Sequence, residues 1–320
     1  MTVEAGLTKQ RWLPWLALIT VWIVWGSTYL GIRAAVDTIP PMLMAGVRFL
    51  VAGGLMLAIV GPRHARGAQR PTLPQLRSVV IIGALLLVGG NGLLSVGETR
   101  LDSGLAALIV ATVPVWMVVI NALVTRTRIT VGVVVALVLG VVGVGVLMGG
   151  PGGEVHVGAA LVVLVSSAFW ASGSVYARRA PLPAHPLVST ALEMIAGGVL
   201  LIVIGSAAGE LGRLDLAAVS TSSLLGLLWL VFAGSMVAFS AYVYANVNLP
   251  NDLVATYAYV NPVVAVVLGA LFGGESVGLN LLLGGAIIVS SVVVIVSGHA
   301  LRRRAERAGS TPIGAVSDQQ

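Results

Sequence analysis

The chain has 320 residues, 58% of them hydrophobic and 9% charged, with a formal net charge of +6. A soluble globular domain carries roughly 25% charged residues, so this much apolar surface does not fit one water-soluble core, and lipid is its natural solvent. The eighteen Lys and Arg fall mostly between apolar runs with no aromatic-interleaved patch, which argues against nucleic acid, and the absence of cysteine excludes disulfides, thiolate metal sites and thiol catalysis.

A helix crossing the hydrocarbon core needs about 20 mostly apolar residues. With charges and turn residues as boundaries, ten such helices are predicted, over 13–32, 42–60, 78–97, 104–124, 131–148, 157–177, 187–207, 224–245, 253–272 and 279–298. The fold class is therefore an all-α integral membrane protein. The first uncharged run, Trp12 to Ile32, is longer than the apolar region of a signal peptide, so it is expected to be retained. Loop punctuation stands in the gaps, as in Gly61-Pro62, Gly149-Gly150-Pro151-Gly152-Gly153 and Pro181-Leu182-Pro183. His64, His156, His185 and His299 stand singly at or near the ends of apolar runs and read as solvated or interfacial side chains rather than metal ligands.

Orientation follows from the Lys and Arg of the short loops. With the N-terminus in the cytoplasm, fourteen fall inside and three outside, namely Arg33, Arg100 and Arg213. Both termini are then cytoplasmic in a multi-pass cell inner-membrane protein. Residues 1–12 form an N-terminal segment, 149–156 an external linker, and 299–320 a polar, disordered tail with the basic cluster Arg302, Arg303 and Arg304 facing the lipid surface.

The chain repeats itself. A shift of 145 residues sets Trp22, Trp25, Ser27, Tyr29 and Arg33 on Ser167, Trp170, Ser172, Ser174 and Arg178, and sets Arg48 on Glu193. A shift of 148 sets Pro114 on Pro262. The helices thus divide into halves of five, 13–148 and 157–298, and an odd number per half forces the second to insert upside down. Inverted repeats of this kind are the architecture of secondary transporters that expose a midplane site alternately to each side.

Three segments carry a resemblance to a known family: Trp25-Gly26-Ser27-Thr28-Tyr29 with Arg33; Arg48-Phe49; and Ala255-Thr256-Tyr257-Ala258-Tyr259-Val260-Asn261-Pro262-Val263 followed by Gly274-Glu275. In their order, over about 13–298, the chain resembles the ten-helix EamA family of the drug/metabolite transporter superfamily. The resemblance implies a central cavity built from the first four helices of each half, a homodimer through the fifth and tenth helices, and export of amino acids, other metabolites or toxic compounds. The family often has an acidic residue ending the fourth helix, as Glu275 ends the ninth; here Thr127 stands at that place.

Pro114 and Pro262 lie near the centres of their predicted spans, where proline frees the carbonyls near Val110 and Ala258. In lipid such groups must face protein or a watery cavity, so the prolines mark edges of a solute path. Around them stand Asn91, Trp116 and Asn121 in the first half and Tyr242, Tyr257 and Asn261 in the second, with Trp25, Tyr29, Trp170 and Ser174 on the repeated stripe. Aromatic rings with a few amides suit a medium-sized, partly apolar solute.

Arg48 and Glu193 are the formal charges well inside the spans, where charge is restricted to a bundle interior or wet cavity. Arg48 is expected to attract a carboxylate or to pair with Glu98. Glu193 is expected to bind an amine or a coupling proton, or else to pair with Arg178 or Arg179; Glu98 is the second candidate for ion coupling.

No Walker sequence occurs, which argues against direct ATP drive, and no HExxH pair, GxSxG elbow or paired intramembrane aspartates support an intramembrane enzyme. No cofactor or metal is expected. A secondary transporter of a small metabolite is the leading reading, with a channel or a non-transporting receptor or scaffold as the alternative.

Overall fold

The computed structural model describes residues 12–64, 70–128, 131–148, 156–249 and 251–293 except 255 and 292. Among them there is no strand. The helices are α1 (Leu13–Ala35), α2 (Pro41–His64), α3 (Leu73–Glu98), α4 (Ser103–Thr125), α5 (Val131–Met148), α6 (Val157–Ala177), α7 (Pro186–Ala207), α8 (Thr221–Asn248), α9 (Tyr257–Phe272) and α10 (Leu279–Ser291). The seven helices α1 to α4 and α6 to α8 are long and apolar enough to cross a membrane, and α5, α9 and α10 are shorter apolar helices. Most of the expected linker 149–156, all of the tail 299–320, and Lys9 and Arg11 of the N-terminal segment lie outside the described residues.

Four of these helices are irregular, at matching places in the two halves. Gly83–Gly92 of α3 and Leu230–Val237 of α8 are π-helical stretches, 147 residues apart at their starts. α4 breaks at Ala111 and Thr112, and α9 is preceded by the separate turn Asn251–Val254. Pro114 therefore does not kink a continuous helix, as its central place in the sequence suggested. It sits in the first turn of a restarted segment, Val113–Thr125, where a missing N–H costs nothing. Pro262 does lie inside a helix.

The halves meet through α2 and α7. A Cβ on Gly46 would meet the Gly198 carbonyl at 3.1 Å and Ile202 at 2.6 Å, and one on Gly53 would meet the Ala191 carbonyl at 2.7 Å. As one residue number rises the other falls, so the two helices run antiparallel. The pairs Gly46/Gly198 and Gly53/Ala191 also exchange under the 145-residue shift, the mark of a two-fold contact between equivalent helices. α5 and α10 repeat the arrangement through Gly143, which approaches Ile288 and the Gly284 carbonyl, and Gly284, which approaches Leu147.

Charge separates the ends of the bundle. The helix ends carrying Asp37, Glu98, Asp102, Glu210, Asp215 and Glu275 lie together, and are called here the acidic end; Arg77, Arg126, Arg128, Arg178 and Arg179 lie at the other, basic end. The main buried apolar cluster belongs to the acidic end, where Ile32, Val36, Ile39, Leu101, Leu105 and Val163 pack against Leu214 and Val219. Outward faces such as Ile19, Ile23, Val138 and Val141 are exposed, as lipid contact requires.

The close approach of α2 and α7 sets a test. Gly198→Val places side-chain atoms where the Leu50 nitrogen lies 2.8 Å from a Cβ, whereas a Cβ on Gly54 meets nothing within 4 Å. Gly198→Val is expected to destabilise the protein by about 1–3 kcal/mol and Gly54→Val by no more than about 0.5 kcal/mol, read as thermal melting in detergent.

Candidate functional site

The irregular segments surround one cavity of about 100 Å³ between the halves. α1 contributes Trp25, Thr28, Tyr29 and Ile32, α2 Arg48, the π-helical part of α3 Gly90 and Asn91, and the break in α4 Val110, Ala111 and Val113. α6 brings Ser166, Ser167 and Trp170, α8 brings Phe239, and α9 brings Tyr257, Ala258, Asn261 and Pro262. Pro114 cannot donate to the Val110 carbonyl, nor Pro262 to that of Ala258, and both carbonyl-bearing residues line the cavity.

The two tryptophans at the 145-residue shift occupy equivalent places. Trp25 lies on Gly234 of α8, whose carbonyl accepts a hydrogen bond from Trp25 Nε1 at 3.2 Å. Trp170 lies against Gly90 of α3, where a Cβ would stand 2.9 Å from the indole. Each half's first helix thus sets an indole into the π-helical stretch of the other half. Around Trp25 an aromatic group assembles, with Tyr242 at 5.0 Å, Phe239 at 5.2 Å and Tyr257 at 5.3 Å between ring centroids.

Arg48 is buried at 3% exposure and lines the cavity. Its Nε donates to Ser235 Oγ at 2.9 Å, and its guanidinium carbon lies 4.7 Å from the Phe49 ring centre. The expected Arg48–Glu98 ion pair is not formed: among the described residues the one ion pair within 4.0 Å is Arg213–Glu210 at 3.9 Å. Ser235, on the π-helical stretch, reaches Arg48 first. Asn261 bridges α9 to α1, its amide nitrogen donating to the carbonyls of Tyr257 at 3.2 Å and Trp22 at 3.1 Å.

Other expected residues stand elsewhere. Glu193 is half-buried outside the cavity wall and accepts from Ser189 Oγ at 2.9 Å, one turn earlier on α7. Its pairing with Arg178 or Arg179 is not found; Arg179 instead donates to Asn121 Oδ1 at 2.8 Å. The seryl partner wins because it shares the helix face at i−4. Tyr242 stands behind Trp25 rather than in the wall, Ser174 donates to its own helix at Trp170, and Pro114 and Trp116 are half-buried outside the wall. Glu98 lies one turn past the lining residue Leu94, fully buried.

Sequence reasoning missed Ser235, Gly234, Gly90 and Phe239. Phe239 stands three residues before Tyr242 on one helix face, a signal that was available. The π-helical stretches have no comparable signature, since their sequences read as ordinary apolar helix.

At the acidic end two carboxylates of the second half hold helix starts of the first. Glu275 accepts the Ser103 N–H at 2.7 Å and the Gly104 N–H at 3.0 Å; Glu210 accepts those of Met42 at 3.3 Å and Leu43 at 2.9 Å. Helix N-termini favour such anions. Gly274, at φ 67, turns the chain so that Glu275 can reach α4. Beside it, burial pushes the Asp102 carboxyl above its usual range, Glu275 adds to this, and Arg33 opposes it.

Residues 12–149 and 157–297 each match the EamA-like transporter family. The uncharacterized inner membrane transporter YedA of Escherichia coli K12 is 40% identical over 291 residues, 89% of this chain and 91% of its own length. The uncharacterized transporter YvbV of Bacillus subtilis is 30% identical over 90% of this chain and 92% of its own. A probable terminal-alkyne amino-acid exporter of Streptantibioticus cattleyicolor is 27% identical over 96% and 98%. A solved crystal structure superposes with a TM-score of 0.60 at 20% identity over 91% of this chain and 98% of its own, a likeness of fold. These relatives are named as transporters, not enzymes.

The Arg48 contact yields a second test. Ser235→Ala leaves a buried guanidinium N–H without its acceptor, a loss of about 1.5–3 kcal/mol. Ser291→Ala, which removes an equally buried hydroxyl bonded only to its own helix at Ile288, is expected to cost less than about 1 kcal/mol. Melting of both variants in detergent reads the difference.

Proposed function

The chain belongs to the EamA-like transporter family, and from that premise we propose that it exports a small, partly apolar metabolite by alternating access through the central cavity. It is a multi-pass inner-membrane transporter of the drug/metabolite type. The finer reading is ten spanning helices in two inverted halves, 13–148 and 157–298. It is supported by the exchange of Gly46/Gly198 with Gly53/Ala191 and by the equivalent seats of Trp25 and Trp170. The observation that carries the functional reading is the cavity itself. Two indoles, a buried arginine and two amides, Asn91 and Asn261, meet where both halves have irregular backbone.

Solute chemistry follows from the lining. Aromatic faces accept an apolar body, and Arg48 presents the remaining N–H groups of its guanidinium to a carboxylate. An amino acid or a related acid fits this set. The S. cattleyicolor relative is named as a probable amino-acid exporter. Homodimer contacts fall on the exposed valines of α5, such as Val134, Val138 and Val141.

The test begins with metabolites secreted by overexpressing cells against a vector control, followed by counterflow in proteoliposomes. A carrier gives saturable counterflow, which a channel does not. Arg48→Gln is expected to lower uptake of a carboxylate solute at least tenfold, the equivalent of about 1.4 kcal/mol, with membrane abundance kept; unchanged uptake removes Arg48 from recognition.

Orientation is tested separately. The basic end is proposed to face the cytoplasm. In this cysteine-free chain, a cysteine replacing the exposed Leu216 at the acidic end is expected to react with an impermeant maleimide from outside, and one replacing the exposed Leu73 at the basic end is not. The reverse pattern overturns the topology.

A further inference from the structure

We propose that Glu98 is a proton-binding site behind the seal at the acidic end, and that its proton holds that seal closed. The inference rests on the transporter reading above and names the ligand of Glu98 as a proton exchanged with external water, which sets the closure without itself crossing the membrane. Glu98 ends α3, one turn beyond Leu94 at the edge of the cavity. Its exposure is 0%, and neither carboxylate oxygen has a hydrogen-bond partner among the described residues. Ser103 Oγ, at the start of α4, is equally buried and equally without one.

The surroundings offer charge without contact. Arg33 of α1, Arg48 of α2 and Glu275 beyond α9 face Glu98, and Tyr29 of α1 lies within its field. Arg48 is committed to Ser235 through Nε, and neither guanidinium reaches ion-pair distance of Glu98. The peptide N–H of Arg33 is near but outside hydrogen-bonding geometry. α6, packed on the same turn of α3, brings Val163 and the Ala159 carbonyl against Gly97. An ionised carboxylate without hydrogen bonds is among the costliest groups to bury, and a proton removes the charge.

The seal lies over this group. Glu275 clamps the start of α4, and the buried cluster around Ile32, Leu101 and Leu105 closes the space beside it. When the clamp opens, water reaches Glu98 and takes its proton; when Glu98 is protonated, the closed packing is favoured. The two effects are reciprocal. Rising external pH therefore opens the acidic end.

The test needs no solute. Ala107 lines the cavity and is fully buried at that end. Ala107→Cys in the full-length protein, in intact cells, is labelled with an impermeant maleimide from outside at a series of pH values. Each rate is divided by that of Leu216→Cys at the same pH, which removes the pH dependence of an exposed thiol and confirms orientation, while the Glu98→Gln background below removes that of the buried one. The ratio is expected to rise with pH, by no more than about tenfold per pH unit, the limit for one linked proton. Glu98→Gln is expected to hold the ratio low and flat, and Glu275→Gln to raise it throughout while keeping the slope. A flat response of the unsubstituted Glu98 protein overturns the proposal, as does a slope that survives Glu98→Gln or vanishes instead in Glu193→Gln. If Glu98→Gln does not accumulate, Glu98→Asp keeps the acid and must keep a slope, displaced along the pH axis; an undisplaced slope overturns the assignment. Flux measurements fail or succeed independently of this readout.

Discussion

In hydrocarbon there is no water to complete a broken helix, so every backbone group released by an irregularity must find a partner inside the protein. That constraint decides where this bundle can carry a site. The break at Ala111 and Thr112 is closed locally, with the Thr112 N–H and hydroxyl both donating to Ile109 O at 3.1 and 2.7 Å. The π-helical stretch of α8 is closed from outside, with Trp25 Nε1 donating to Gly234 O and Ser235 Oγ accepting from Arg48. Val110 and Ala258, each four residues before a proline, line the cavity. The irregular backbone and the cavity-lining side chains coincide in space, as that one requirement demands.

The same requirement shapes the contact between halves. α2 and α7 have regular backbones and so can approach until carbonyls meet glycine Cα atoms, as Gly46 and Gly53 allow. Around this closely packed antiparallel pair stand the interrupted helices, α3, α4, α8 and α9. The first helices, α1 and α6, link them, each placing its tryptophan on the opposite half. A rearrangement that moves α8 must therefore carry Trp25 with it or break its bond to Gly234.

Much of this was legible in the sequence because helix periodicity and internal repetition survive without knowledge of packing. The 145-residue shift found Trp25 and Trp170, and the cavity lies between them. Pro262, marked by its place inside an apolar helix, and Asn261, marked by sharing a face with Tyr257, both line that cavity. Partners were less legible. Arg48 was matched to Glu98 because opposite charges suggest pairs, whereas a neutral serine on a widened helix turn lay nearer, and nothing in Leu230–Val237 announces a π-helix. Glu193 was singled out by its place opposite Arg48 in the repeat, but sequence symmetry does not require equal surroundings, and Ser189 one turn away satisfies it outside the wall. The inter-half clamp of Glu210 on α2 joins residues 167 and 168 apart, beyond any local signal.

The departure from symmetry at Thr127 has a mechanical meaning. In the first half Ser103 begins α4, and Glu275, on the connection after α9, holds it with a charge-assisted pair of bonds. At a shift of 148 the corresponding helix start is near Asn251 and the corresponding holder is Thr127. Thr127 pairs its hydroxyl with Thr125 at 3.0 Å, within its own helix end. A carboxylate across two peptide N–H groups at a helix N-terminus exceeds a hydroxyl in both charge and reach. An inverted repeat with equal holders would have two equally favoured closures. Here only the acidic end carries them among the described residues, and that is also where the largest apolar cluster is buried. The bundle is therefore held more firmly at its acidic end than at its basic one, by two carboxylate clamps and the apolar cluster beside them.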